Sequence, residues 1–223
     1  MDILLIIVAI VITSTAQLYV SSSYEKYKKV NVKKNISGFE VARAILDSHG
    51  MNDVYVTETT GVLSDHYDPS RKVVKLSTDI FHGNSIASCS VAAHEVGHAI
   101  QDKENYKFMR FRSAIFPIVN ISSYGGYLAI LIGAMFGSME LIWLGIAFEI
   151  IILIFQLVTL PVEFDASKRA TEELEKLSIL TKSEIPASKK MLKAAAYTYV
   201  ASVINAILQI LRLVLIYGRS DRD

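Results

Sequence analysis

The chain has 223 residues, 52% of them hydrophobic, with a positive mean hydropathy that is high for a soluble domain. A net charge of +1 leaves no bulk electrostatic case for nucleic acid as a partner. The single cysteine, Cys89, excludes an intramolecular disulfide framework.

The apolar content falls into four blocks. The first, residues 3–20, is long enough to span a bilayer. Ser14-Thr15-Ala16 resembles a signal-peptide cleavage site, but two features oppose removal. The preceding stretch carries Asp2 and no Lys or Arg, and basic residues follow at Lys26, Lys28, Lys29, Lys33 and Lys34. Positive charge stays on the cytoplasmic side, so residues 1–20 are expected to be an anchor with its N-terminus outside.

Residues 21–112 are mixed and polar enough to face water. Ser37-Gly38-Phe39-Glu40 reads as a helix start. Val41, Ala44, Ile45 and Leu46 then supply one apolar face as far as about Ser48, and His49-Gly50 ends it. Residues 54–57 alternate like a strand, residues 71–76 are a second candidate, and Asp65-His66-Tyr67-Asp68-Pro69 between them reads as a turn. A strand beside a metal-binding helix can receive an extended substrate by strand addition, or serve only as an edge.

The stretch Ser90-Val91-Ala92-Ala93-His94-Glu95-Val96-Gly97-His98-Ala99-Ile100-Gln101 contains His-Glu-x-x-His in a run without proline. The spacing predicts a helix capped by Asn84 or Ser85 and running to about Gln101. Residues four apart share a helix face, so His94 and His98 can present ring nitrogens to one metal ion. Glu95 stands about 100° round the axis, where a carboxylate reaches a metal-activated water without ligating the metal. Zinc brings the pKa of such a water to about 7, and Glu95 is the expected general base. Two core histidines beside a buried glutamate are the structural alternative, at the expense of an unpaired buried carboxylate. Cys89, five residues before His94, lies about 140° from the metal face and reads as a small core residue. His66 and His82 read as loop histidines.

Residues 102–112 form a charged connector. The second and third apolar blocks, 113–137 and 141–160, are separated only by Ser138-Met139-Glu140, so residues 113–160 are expected to form a transmembrane hairpin. That turn has no Lys or Arg, as an external loop should. Ser122, Ser123, Gly125 and Gly126 permit close helix packing, and Pro117 permits a kink. Glu149 lies deep in the third block, where a structural role paired with Arg212 is expected. Residues 161–193 return to water, with Pro161 starting a helix over 162–177. The fourth block, 194–217, leads into a tail within residues 194–223.

A protease zinc site needs a third protein ligand. No histidine follows His98, so a carboxylate must serve, and the best-placed pair is Glu163 and Asp165. Two spans separate His98 from Glu163, an even number, so both return to one side of the membrane. Glu163 is assigned to the metal and Asp165 to a supporting role that orients a ligand histidine. Spacing alone does not choose between that assignment and its reverse, and a helix N-terminus with acidic residues is the structural alternative.

Four stretches together resemble the YugP-type membrane zinc metallopeptidases over essentially the whole chain. They are Leu63-Ser64-Asp65-His66-Tyr67-Asp68-Pro69, Leu76-Ser77, Val91 to Gln101, and Leu160-Pro161-Val162-Glu163-Phe164-Asp165-Ala166-Ser167. A more distant similarity is to the HtpX and CAAX prenyl proteases, which carry Glu-x-x-x-Asp where this chain has Ser167 four residues after Glu163. The resemblance implies a zinc-dependent endopeptidase of the gluzincin type. The expected protein is mainly α: four membrane spans and a zincin-like catalytic region with a small β element, built from residues 21–112 and 161–193. Its expected cofactor is Zn2+, its partners the lipid bilayer and a protein or peptide substrate, and its location the cell membrane with a cytoplasmic active site. A further donor to the oxyanion is expected, for which Tyr67 and His66 are candidates without a motif to single either out. The rivals are a non-catalytic membrane scaffold with a structural metal and a transporter centred on Glu149.

Overall fold

The computed structural model describes residues 2–218, so the end of the 194–223 segment lies outside the described residues. Four helices are long and apolar enough to cross a membrane: α1 (Asp2–Lys28), α5 (Lys107–Phe136), α6 (Met139–Lys176) and α7 (Ile185–Tyr217). Only a minority of their apolar stretches is buried within the protein, and Leu4, Ile121, Phe136, Trp143 and Leu211 lie on its surface. Such apolar surface is stable against lipid and unfavourable against water. The protein is a mainly α, multi-pass membrane protein.

The chain forms two compact units. One comprises residues 2–17, 108–161 and 198–218; the other comprises Leu18–Lys107 and Val162–Tyr197. In the first, α5 and α6 approach closely at glycines. A Cβ on Gly126 would stand 3.0 Å from the Phe148 Cβ, and one on Gly145 3.0 Å from the Gly126 carbonyl oxygen. Small residues at these points let two backbones pack without a hydrophobic driving force. Among the described residues no ion pair joins Glu149 to Arg212, whose Nε is buried without a hydrogen-bond partner.

The second unit is built round α4 (Ile86–Lys103). Ser85 caps it, accepting from the Ser88 N–H at 3.1 Å. Fourteen of its 18 residues are buried, so it must be enclosed on nearly every side. Helix α2 (Gly38–Ser48) lies against it, started by a complete capping box in which Ser37 and Glu40 satisfy each other's backbone N–H. Gly50, at φ 65°, turns the chain away after α2.

The small sheet has the order β1-β3-β2, with β1 (Tyr55–Thr59) parallel and β2 (His66–Asp68) antiparallel to the central β3 (Val73–Ser77). Val74 and Leu76 of β3 point into the core and are fully buried. Strand β2 occupies residues expected to be a turn. The turn lies just after it, where Asp68 Oδ1 accepts from the Ser70 and Arg71 N–H groups. A short helix, α3 (Thr78–His82), continues directly from β3.

Pro161 does not start a helix. It lies inside α6, which runs unbroken for 38 residues. Proline removes one backbone donor, and the helix continues through it. Glu163 and Asp165 are therefore mid-helix residues, and a helix N-terminus no longer accounts for their charge.

Candidate metal centre

Helix α4 places His94 and His98 one turn apart, with ring centroids separated by 4.8 Å and planes at 82°. Helix α6 brings the Glu163 carboxylate to them. Its Oε2 lies 3.3 Å from His94 Nε2 and 3.6 Å from His98 Nε2. One ligand atom from each of the three residues can be chosen so that all lie within 4.8 Å of one another. Donors bound at about 2.0–2.1 Å on a tetrahedral zinc stand roughly 3.3 Å apart, so this donor set fits the metal in chemistry and spacing.

The approach of the two helices depends on Gly97. A Cβ there would meet the Ala166 backbone oxygen at 2.7 Å and its Cα at 3.2 Å. Ala166 is itself fully buried, so neither side can yield cheaply. With glycine on α4 and alanine on α6, Glu163, one turn before Ser167, reaches the rings.

The rear nitrogens of the rings are occupied by protein groups. Ser167 Oγ stands 3.2 Å from His94 Nδ1, and Gln101 Oε1 3.0 Å from His98 Nδ1. Both Nε2 atoms thus face Glu163. Ser167 follows Glu163 by one helical turn, which places the serine hydroxyl behind the first histidine. Asp165 accepts from Gln101 Nε2 at 2.9 Å and from Arg169 Nε at 2.5 Å, and Arg169 Nη1 donates to Glu104 at 2.7 Å. Its path to a ring therefore runs through Gln101.

The electrostatics of the cluster are those of a cation site. Burial pushes the Glu163 carboxyl up, but its hydrogen bonds to His94 and His98 outweigh this and hold it far below the usual range. Burial lowers the affinity of His98 for a proton, and Glu163, with Glu95 and Gln101, more than restores it, so its pKa is raised. Glu95 is 8% exposed and, among the described residues, has no hydrogen-bond or ion-pair partner. Burial raises its pKa against the pull of His94 and His98.

The remaining candidates lie elsewhere. His66 Nδ1 meets the Ser64 carbonyl, and His82 pairs with Glu58 at 3.2 Å. The Tyr67 hydroxyl donates to Asp102 at 3.0 Å, which commits its proton. Cys89 is fully buried, and burial pushes its thiol up to about 12. Sequence reasoning gave no role to Gly97, Gln101 or Arg169. The Asp165–Arg169 pair was within reach of an i,i+4 rule, and Gln101 follows His98 by three residues on the same face. The demand on Gly97 comes from a residue 69 positions away and leaves no local signal.

A family model described as "Putative neutral zinc metallopeptidase" matches residues 2–218. The chain is 44% identical over 221 residues to the "Putative membrane protease YugP" of Bacillus subtilis (strain 168), covering 98% of each chain. No solved structure matches the chain. The family match extends over all four long apolar helices, the paired histidines and Glu163, and the metal-fitting donor set lies within it; the chain belongs to this zinc metallopeptidase family, and zinc is its metal.

Proposed function

We propose that the protein is a zinc-dependent endopeptidase that hydrolyses peptide bonds of membrane or membrane-proximal proteins from the cytoplasmic side. One observation carries the reading: the Glu163 carboxylate lies 3.3 Å from His94 Nε2 and 3.6 Å from His98 Nε2, next in sequence to a buried Glu95 that has no hydrogen-bond partner among the described residues. His94, His98 and Glu163 hold the metal. When bound, zinc supplies Lewis-acid polarisation of the scissile carbonyl and acidifies water at the site. Glu95 takes a proton from the attacking water and passes it to the leaving amine. Gln101 and Ser167 hold the two rings from behind.

The cytoplasmic assignment rests on charge. Five lysines follow the first span between residues 26 and 34, and Ser138-Met139-Glu140 in the hairpin has none. Substrates at or in the bilayer are favoured because the catalytic residues are interleaved in sequence with four apolar helices, with Glu163 on α6 itself, three residues beyond its apolar block 141–160.

Glu95→Gln is the test. Membranes carrying the variant are expected to retain zinc and to accumulate proteins that the wild type cleaves. Persistent cleavage would remove Glu95 from the chemistry, and zinc retention with no cleavage by either form would favour a scaffold with a structural metal. A reporter fused after Arg112 checks sidedness, and signal from the external face would overturn the cytoplasmic assignment.

A further inference from the structure

Gln101 is a fully buried amide. Its Oε1 faces His98 Nδ1 at 3.0 Å, and its Nε2 donates to the Val162 carbonyl at 2.8 Å and to Asp165 Oδ2 at 2.9 Å. An amide has one acceptor end and one donor end. The Val162 oxygen can only accept. Asp165 Oδ2 already accepts from Arg169 Nε, which Glu104 holds in place. Rotating the amide by half a turn would set Oε1 against these two acceptors, so its orientation is forced rather than chosen. With Oε1 fixed toward the ring, His98 Nδ1 must carry a hydrogen, because a carbonyl oxygen has none to give.

We propose that Gln101 is a positioning residue that locks His98 with Nδ1 protonated and Nε2 directed at the metal, and that α6 imposes this lock on α4 through Val162 and the Asp165–Arg169 pair. The inference rests on the zinc reading above. It also explains the residue type. A glutamate here has no amide donor for Val162 and Asp165, a lysine has no acceptor for His98, and an asparagine is one carbon shorter. His94 lacks an equivalent lock, since the Ser167 hydroxyl can donate or accept. Docking of α6 thus brings the third ligand and fixes the second in a single packing event.

The full chain in detergent tests this with Gln101→Met, which keeps length and removes both polar ends, and with Gln101→Glu as an isosteric second variant. Zinc affinity is read by chelator competition, Co2+ geometry by its visible d–d absorption, and packing by the melting midpoint of the zinc-free protein. Both variants are expected to bind zinc about 10- to 100-fold more weakly than wild type, with an altered Co2+ spectrum. A structural role alone would lower the zinc-free midpoint and leave the metal readouts alone. Zinc affinity within two-fold of wild type in either folded variant, with an unchanged Co2+ spectrum, overturns the proposal. A wild-type chain that binds no zinc sinks the underlying metal reading instead, and the two failures are distinct.

Discussion

Substituting Gly97 by alanine tests whether the helix contact sets the metal geometry. Alanine would place a Cβ 2.7 Å from the Ala166 oxygen, where ordinary contact begins at 3.4 Å, a shortfall of about 0.7 Å. The obstacle is backbone in a fully buried stretch, so relief requires α4 and α6 to move apart locally. Overpacking of this kind costs about 1–3 kcal/mol. Alanine also improves helix propensity by roughly 1 kcal/mol, so the net loss of stability is small, between about 0 and 2 kcal/mol. Metal bonding is far less tolerant. Ligand distances hold within about 0.2 Å, and a movement several times larger carries Glu163, three residues from Ala166, out of register with the rings. Zinc affinity should therefore fall roughly ten-fold or more, while the zinc-free protein melts within a few degrees of wild type. Chelator competition and a thermal scan on the same preparation measure both. Wild-type zinc affinity in Gly97→Ala would refute the contact argument.

Glu163→Ala should lose tight zinc binding, while Asp165→Asn retains all three donors and stays closer to wild type; elemental analysis after dialysis compares them, and zinc loss confined to Asp165→Asn would exchange their roles. Cys89 should resist maleimide in the folded protein, being fully buried with its thiol pushed up to about 12, and should label fully on unfolding. Rapid labelling of the native chain would contradict the packing of α4. Ser37→Ala removes the capping hydroxyl of α2 and should cost about 1 kcal/mol, seen as a lower denaturation midpoint with zinc affinity unchanged after refolding.

The readable parts of this sequence were those with local or periodic causes. Four apolar blocks declare four spanning helices, because a bilayer leaves little choice. The His94–His98 spacing declares one face of one helix, and Ser37 with Glu40 declares a helix start that the structure reproduces as a full capping box. What escaped was settled at a distance or over too few residues. Three residues of β2 carry no periodicity, and its pairing with β3 supplies the bonds that define it. Pro161 is a break signal in isolation, yet α6 runs through it. The acidic pair after it could be placed near the site but not divided by role; in the folded chain Glu163 faces the rings and Asp165 faces Gln101 and Arg169. Nothing near Gly97 announces that Ala166 will lie against it.

The central claim is a single ion held by two imidazoles of α4 and one carboxylate of α6. X-ray absorption at the zinc edge of the purified full chain addresses it most directly, together with the metal content of the same sample. The account requires about one zinc per chain with two imidazole nitrogens in its first coordination sphere, and loss of that signal in both His94→Ala and Glu163→Ala. A zinc signal without histidine scattering, or one that survives both substitutions, would contradict it.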